Sequence, residues 1–157
     1  MESIAGLHPL VVHFPIALLL LYTLFETTGV ILKNETLTKA AFLILILGVV
    51  SAIAAVLTGG QAEEIATHLR DKGIAFSQEV LETHEKFATI SVWYFFAILG
   101  LRTYFIVQKK FVGYIKIIFV VLALIGAYFI LETGEHGGEL VFKYGVGTDI
   151  IQQNIVD

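Results

Sequence analysis

Histidine is the residue type with which this chain can carry out metal or redox chemistry, because it has no cysteine and its one methionine is the first residue. The lack of cysteine excludes disulfides, iron–sulfur ligation, covalent haem attachment and thiolate copper sites. Imidazole nitrogens remain, and they bind haem iron, copper and zinc. Two histidines open an apolar run, where burying an imidazole without a partner costs free energy. The five histidines are His8, His13, His68, His84 and His136.

Four long apolar runs must position these histidines. The chain is 57% hydrophobic and only 15% charged, whereas soluble domains carry about 25% charged residues. Each run is close to the roughly 20 residues that an α-helix needs to cross a bilayer, and none alternates as a membrane β-barrel does. We therefore predict an all-α membrane protein, one domain over residues 1–157, with four transmembrane helices in an up-down-up-down bundle. The predicted helices span about 9–32, 38–59, 78–107 and 111–131, followed by an outer tail over 132–157.

The lysines indicate which side of the membrane each helix end faces. The two short connections, around residues 33–39 and 108–111, carry four lysines, and Lys and Arg in short loops favour the cytoplasm. Both termini and the long connection then face outward, which predicts a multi-pass protein of a bacterial inner (cytoplasmic) membrane with periplasmic termini. All five histidines fall on this outer side. The outer segments are rich in Asp and Glu, which disfavours nucleic acid as a partner.

A carboxylate and a guanidinium lie inside the apolar runs, near their inner ends. Glu26 is in the first run and Arg102 is in the third. Charged side chains within a membrane usually pair with one another. We therefore expect a structural Glu26–Arg102 ion pair.

The two helical hairpins resemble each other in sequence. An ungapped alignment places "HFPIALLLLYTLFE" on "HEKFATISVWYFFA", so that His13 meets His84. At the ends of the second helices, "LTGGQ" (57–61) aligns with "ETGEH" (132–136). Helices 1 and 3 of an up-down-up-down bundle are diagonal neighbours. The alignment therefore predicts that His13 and His84 face each other at similar depth.

Two imidazoles that face each other across a helical bundle can bind one haem iron from both sides. We predict non-covalent haem b near the outer face, with His13 and His84 as its axial ligands. His8 is the next candidate, for a haem propionate or a second haem, together with His136 in a glycine-rich turn able to fold over the bundle. With both axial positions filled, electron transfer is favoured over oxygen chemistry.

The partners expected from this prediction are those of a membrane electron carrier. They are the lipid bilayer, a periplasmic or membrane redox protein, and a quinone as a candidate donor. A homo-oligomer or a place in a larger complex is compatible with the sequence. The chain is thus expected to be an electron-transfer subunit rather than a stand-alone enzyme.

Two alternatives use the same histidines differently. Imidazoles and outer carboxylates together suit a protein that binds or transports a divalent metal ion such as copper, zinc or iron. A structural subunit of a membrane respiratory complex would use its histidines only as hydrogen-bonding groups. His68 lies on a predicted short amphipathic outer helix, where a solvated histidine is expected.

With "HPLVVHFPIALLLL" near its start and "GGELVFKYGVG" near its end, the chain resembles a bacterial membrane family catalogued as domain of unknown function 2231. The resemblance covers nearly the whole chain, and a histidine near the start of helix 3 matches as His84. Family members fused to Rieske-type or c-type cytochrome domains imply redox work in a membrane. The chain departs from the family pattern at Tyr144, where many relatives have histidine, and at His136, where many have an apolar residue.

Overall fold

The computed structural model describes the backbone of residues 7–71 and 77–146 and the side chains of residues 7–62 and 77–146. This part of the chain is all-helical, and four of its segments are long and apolar enough to cross a membrane. The prediction of an all-α membrane protein with four spans is confirmed. The spans are His8–Ile31, Glu35–Ala62, Gln78–Val107 and Tyr114–Phe142. The helices are α1 (His8–Val11), α2 (His13–Ile31), α3 (Glu35–Asp71), α4 (Gln78–Val107) and α5 (Tyr114–Phe142).

The first span has a break at Val12, which separates α1 from α2. Pro9 occupies the first turn of α1, where its missing N–H costs no helical hydrogen bond. Pro15 lies in the first turn of α2, and without an N–H it cannot bond to the carbonyl of Val11. The chain still continues in one direction, because Val12 N donates to His8 O at 3.1 Å. The break therefore leaves His8 at the end of the span that α2 forms.

Side chains cap α3 and α4 where these helices begin. Asn34 Oδ1 accepts two backbone N–H groups at the start of α3, at 3.0 and 3.1 Å. Ser77 Oγ accepts the N–H of Val80 at 3.4 Å, so it caps α4. The connections over residues 32–34 and 108–113 are short, and they carry several of the lysines. We call this end of the bundle the lysine end, and the opposite end, which holds His8 and the start of α4, the histidine end.

Two helices are longer than the sequence predicts. α3 continues past residue 59 to Asp71, and α5 continues past residue 131 to Phe142. Residues 132–142 are therefore helical and do not begin the predicted outer tail, while residues 147–157 lie outside the described residues.

The glycines of "TGEHGGEL" explain the difference at α5. In the sequence they indicate a turn, but in the structure they lie on a helix that approaches α4 closely. A Cβ at Gly137 would lie 2.9 Å from Cε1 of His84. Small residues at such positions let membrane helices come together. Gly137 therefore makes room for an imidazole within a continuous helix.

The four spans surround one core. α2 packs against α3 and α5, and α4 packs against the same two helices. Within the described residues, α2 and α4 make no close backbone approach to each other, so they are the predicted diagonal pair. The core places a large side chain of one hairpin helix against a glycine of the other. A Cβ at Gly48 would lie 2.6 Å from Leu19 Cδ2, and one at Gly126 would lie 2.5 Å from Phe95 Cζ.

Burial gives the repeat a register that differs from the sequence alignment. Four of the six buried residues of α2 become buried residues of α4 when 76 is added to their numbers. This register pairs His8 with His84, whereas the sequence alignment paired His13 with His84. The residue that corresponds to His13 is Thr89, and both are exposed. The buried pairs are Pro15 with Ser91, Leu19 with Phe95, Tyr22 with Ile98, and Glu26 with Arg102.

The expected Glu26–Arg102 ion pair is confirmed, and it is fully buried. Arg102 Nη1 donates to Glu26 Oε2. Arg102 Nη2 donates to the carbonyl of Thr38 at 2.8 Å. The guanidinium also lies 4.8 Å from the centre of the Phe111 ring, a cation–π contact. The pair thus ties α2 to α4 and α3 near the lysine end.

Removal of one member of this ion pair should cost far more than removal of both. Arg102→Met leaves the Glu26 carboxyl in an apolar interior and is expected to lower the free energy of unfolding by about 3–5 kcal/mol. Glu26→Met combined with Arg102→Met leaves no buried charge and is expected to recover most of this loss. Denaturation in detergent micelles measures both. A double variant as unstable as Arg102→Met would contradict the assignment.

The glycine contact of α5 makes a second prediction, with a neighbouring glycine as control. Gly137→Ala forces the His84 ring out of its position and is expected to destabilise the protein by about 1–3 kcal/mol. At Gly138 a Cβ would meet only Phe142, at an ordinary 3.9 Å. Gly138→Ala should therefore be neutral or stabilise the helix by about 0.4–1 kcal/mol. Equal effects of the two substitutions in thermal denaturation would show that Gly137 has no special packing role.

Candidate functional site

His8 is held between α1 and α3 by a threonine and a glycine. Its Nδ1 lies 3.0 Å from Thr58 Oγ1. The hydroxyl of Thr58 donates its own proton to the carbonyl of Ala55 at 3.0 Å, so it accepts from His8 Nδ1–H. A Cβ at Gly59 would lie 3.0 Å from His8 Cε1, so the glycine provides the space for the ring. Nε2 of His8 is left as the ring atom with a lone pair.

His84 is held between α4 and α5 in the same way. Its Nδ1 lies 2.9 Å from the carbonyl oxygen of Thr133, and a carbonyl can only accept, so Nδ1 carries the proton. Gly137 provides the space for the ring. The Thr133 hydroxyl, in turn, lies 3.3 Å from Ser91 Oγ. Each hairpin thus has a histidine on its first helix that bonds to a threonine on its second.

His136 bonds to its own helix, and His13 bonds across the break of the first span to α1. His136 Nδ1 donates to the carbonyl of Glu132 at 2.8 Å, and its ring stacks on Phe87 with the centroids 6.0 Å apart. His13 Nδ1 donates to the carbonyl of Pro9 at 2.5 Å. The His136 ring is half-buried, whereas His13 is exposed.

The four described histidines therefore share one tautomer. In each, Nδ1 donates a hydrogen bond to an oxygen of the chain, and the lone pair is on Nε2. Metal-binding histidines have this arrangement, because a bond from one ring nitrogen fixes the ring and raises the basicity of the other. In each of the four rings, Nε2 therefore has the lone pair with which an imidazole can coordinate a metal ion.

Three of these histidines form a group at the histidine end. His8 lies within range of the charge of His84, and His84 lies within range of the charge of His136. We call His8, His84 and His136 the histidine cluster. His13 lies on the exposed face of α2, and no contact within the described part of the chain joins it to His84. The axial pairing of His13 with His84 stays a prediction, while an electrostatic interaction links His8 to His84.

The sequence identified the histidines but not how each is positioned. It marked Thr58–Gly59 only as a repeated helix end, whereas both residues contact His8. Gly137 was interpreted as part of a turn, and its contact with His84 depends on the length of α5. An eleven-residue interval separates Gly48 from Gly59 and Gly126 from Gly137, and this interval is the sequence signal that could have revealed both contacts.

A free divalent ion and a haem iron need different numbers of protein ligands. A free divalent ion needs three or four protein ligands, and no group of three or more His, Asp or Glu able to hold a metal ion occurs within residues 7–62 and 77–146. Haem iron needs one or two, since the porphyrin supplies four nitrogens. The His8–His84 pair matches the second requirement in number and in tautomer. The predicted peripheral histidine, His68, lies outside the residues whose side chains are described.

Comparison with known proteins identifies the family of this chain. No curated protein and no solved structure matches it. The model of the family described as "Predicted membrane protein (DUF2231)" matches residues 5–150, and those residues contain all four spans and the whole histidine cluster. The chain belongs to this DUF2231 family of predicted membrane proteins.

Proposed function

We propose that this protein is a b-type haem protein of the membrane that transfers electrons, with the iron bound through imidazole Nε2 atoms at the histidine end. His8 and His84 are the pair that the structure favours as axial ligands. The single observation that carries the proposal is their shared environment. Related positions of the two hairpins each hold an imidazole, with Nδ1 bonded to the chain and Nε2 available.

The register of the repeat supports a site between these two residues. Glu26 and Arg102 are related by the same 76-residue shift, and they form an ion pair although α2 and α4 are diagonal. At this one pair of equivalent positions the side chains meet across the axis of the bundle. His8 and His84 are the equivalent pair at the histidine end, and the charge of one reaches the other.

Two bound imidazoles determine what chemistry such a centre supplies. With both axial positions taken there is no open coordination site, and one-electron transfer remains. The chain's own part is to fix the rings: Thr58 and Thr133 hold His8 and His84 through Nδ1. His136, stacked on Phe87, stands beside His84 as the candidate for a propionate contact or a second haem.

The lysines support an orientation for this site. Lys33, Lys39, Lys109 and Lys110 lie at the lysine end, and such residues favour the cytoplasmic side. The histidine end then faces the periplasm of a bacterial inner membrane. A periplasmic or membrane redox protein is the expected acceptor, and a quinol in the bilayer is the candidate donor.

A divalent-metal protein is the second candidate. Glu132 Oε2 lies 4.0 Å from His136 Nδ1, so a carboxylate stands next to the histidine cluster. Imidazoles with a carboxylate suit zinc or copper. A third outcome is a purely structural role, in which the His8–Thr58 and His84–Thr133 bonds join helices and nothing more.

Absorption spectroscopy separates these functions. Protein purified from haem-replete cells is expected to show a Soret band and, after reduction, the split visible bands of a low-spin cytochrome. Metal without porphyrin in elemental analysis would support the divalent-ion alternative. Protein with neither haem nor metal would leave the structural role.

Histidine variants then test which residues bind the iron. His8→Ala and His84→Ala are expected to abolish the low-spin spectrum, because each removes one axial ligand. His13→Ala is the matched control, and it should keep the spectrum because its ring is exposed and bonds within its own span, to the carbonyl of Pro9. Loss of the spectrum in His13→Ala with retention in His8→Ala would reverse the assignment and restore the pairing from the sequence alignment.

The threonine that orients His8 gives a milder test. Thr58→Val removes the acceptor of His8 Nδ1–H and is expected to weaken haem binding by roughly tenfold, as loss of such partners does at other metal sites. Thr58→Ser keeps the hydroxyl and should bind haem as the wild type does. Haem titration of the stripped protein measures both, and equal affinities for the two variants would show that the bond does not serve the site.

A further inference from the structure

A separate pocket opens at the lysine end, between the start of α3 and the end of α4. Its volume is about 430 Å³, which lies within the range of small-molecule sites. Lys39 and Lys109 stand on its two sides, Arg102 lines it deeper in the bundle, and Phe42 and Phe111 form part of its wall. The pocket thus combines cationic groups with an apolar lining, and it is independent of the histidine cluster.

The positive charge of the pocket is only partly neutralised. Glu35 also lines it, but Glu35 forms its ion pair with Lys116, at 2.6 Å. Neither Lys39 nor Lys109 forms an ion pair with any residue whose side chain the structure describes. Two ammonium groups therefore stand at the mouth of an apolar pocket without carboxylate partners of their own.

A second polar group in the pocket lacks a partner. Arg102 is fully buried, and its Nη atoms bond to Glu26 and to the carbonyl of Thr38. Its Nε–H has no acceptor among the described residues. The buried guanidinium, paired with Glu26, thus lies beside the two lysines in the lining of the pocket.

The remaining wall is apolar and exposed. Leu43 of the second span is 62% exposed, and Val112 in the connection before the last span is 63% exposed. An inorganic anion would gain nothing from these apolar surfaces. A molecule with a phosphate and an attached acyl chain would use both, because the phosphate meets the lysines while the chain covers the exposed aliphatic residues.

We propose that this pocket binds the phosphate of an anionic phospholipid, with Lys39 and Lys109 as the headgroup ligands and the α3–α4 surface as the acyl-chain contact. Basic pockets between membrane helices bind such headgroups in other proteins. The lipid would bridge α3 and the end of α4, whose residues line the pocket. The site would thereby stabilise the end that holds the Glu26–Arg102 pair.

Native mass spectrometry tests this site directly. The full chain, purified in mild detergent, is mixed with equal amounts of phosphatidylglycerol and phosphatidylcholine. The wild type is expected to retain phosphatidylglycerol preferentially. Lys39→Gln combined with Lys109→Gln should lose about 30-fold in this preference, since each lysine near an anionic lipid contributes about a fivefold effect.

A double variant with the same change in net charge is the control. Lys33 and Lys110 lie at the same end but do not line the pocket, so Lys33→Gln with Lys110→Gln should keep the preference. Loss of the preference in both double variants, or in neither, would overturn the proposal. Displacement of the lipid by inorganic phosphate at low millimolar concentration would also overturn it, because the pocket would then be a site for a free anion.

Discussion

The structure depends on large side chains that pack against glycines of neighbouring helices, because helices in lipid gain no hydrophobic free energy by touching one another. In each hairpin two such contacts occur eleven residues apart, which is about three turns of helix. One contact places an apolar side chain in the core, and the other places an imidazole at the histidine end. The contacts are Leu19–Gly48, His8–Gly59, Phe95–Gly126 and His84–Gly137. The packing that closes the bundle thus also sets the depth of the two histidines.

The repeat is symmetric at one end of the bundle and asymmetric at the other. Equivalent positions carry the same residue at the histidine end, His8 and His84, and opposite charges at the lysine end, Glu26 and Arg102. Opposite charges attract, so an ion pair joins the helices at the lysine end. Two neutral imidazoles of the same tautomer cannot hydrogen-bond to each other through Nε2, because each Nε2 is an acceptor. The histidine end therefore keeps two imidazole lone pairs where the lysine end has a closed ion pair.

The sequence was sufficient for features that depend on composition and charge. It predicted four spans and the Glu26–Arg102 pair, because apolar length and buried charge follow from residue type alone. It did not predict the length of α5, because glycine occurs both in turns and at close contacts between helices. The residue type of Gly137 therefore fits either structure. Nor did the sequence give the register of the repeat: helices that are apolar on every side carry no periodic signal of which face is buried. The alignment therefore favoured His13, whose exposed position only the packing reveals.

We propose that His8 faces His84 across the bundle, whereas the sequence alignment predicts that His13 does. The chain has no cysteine, so a nitroxide spin label can be attached only where a cysteine is introduced. Doubly labelled His8→Cys/His84→Cys and His13→Cys/His84→Cys proteins can then be compared by their electron–electron dipolar coupling in lipid bilayers. We expect the stronger coupling, and thus the shorter distance, for the spin labels at positions 8 and 84. Stronger coupling for the labels at positions 13 and 84 would contradict this proposal.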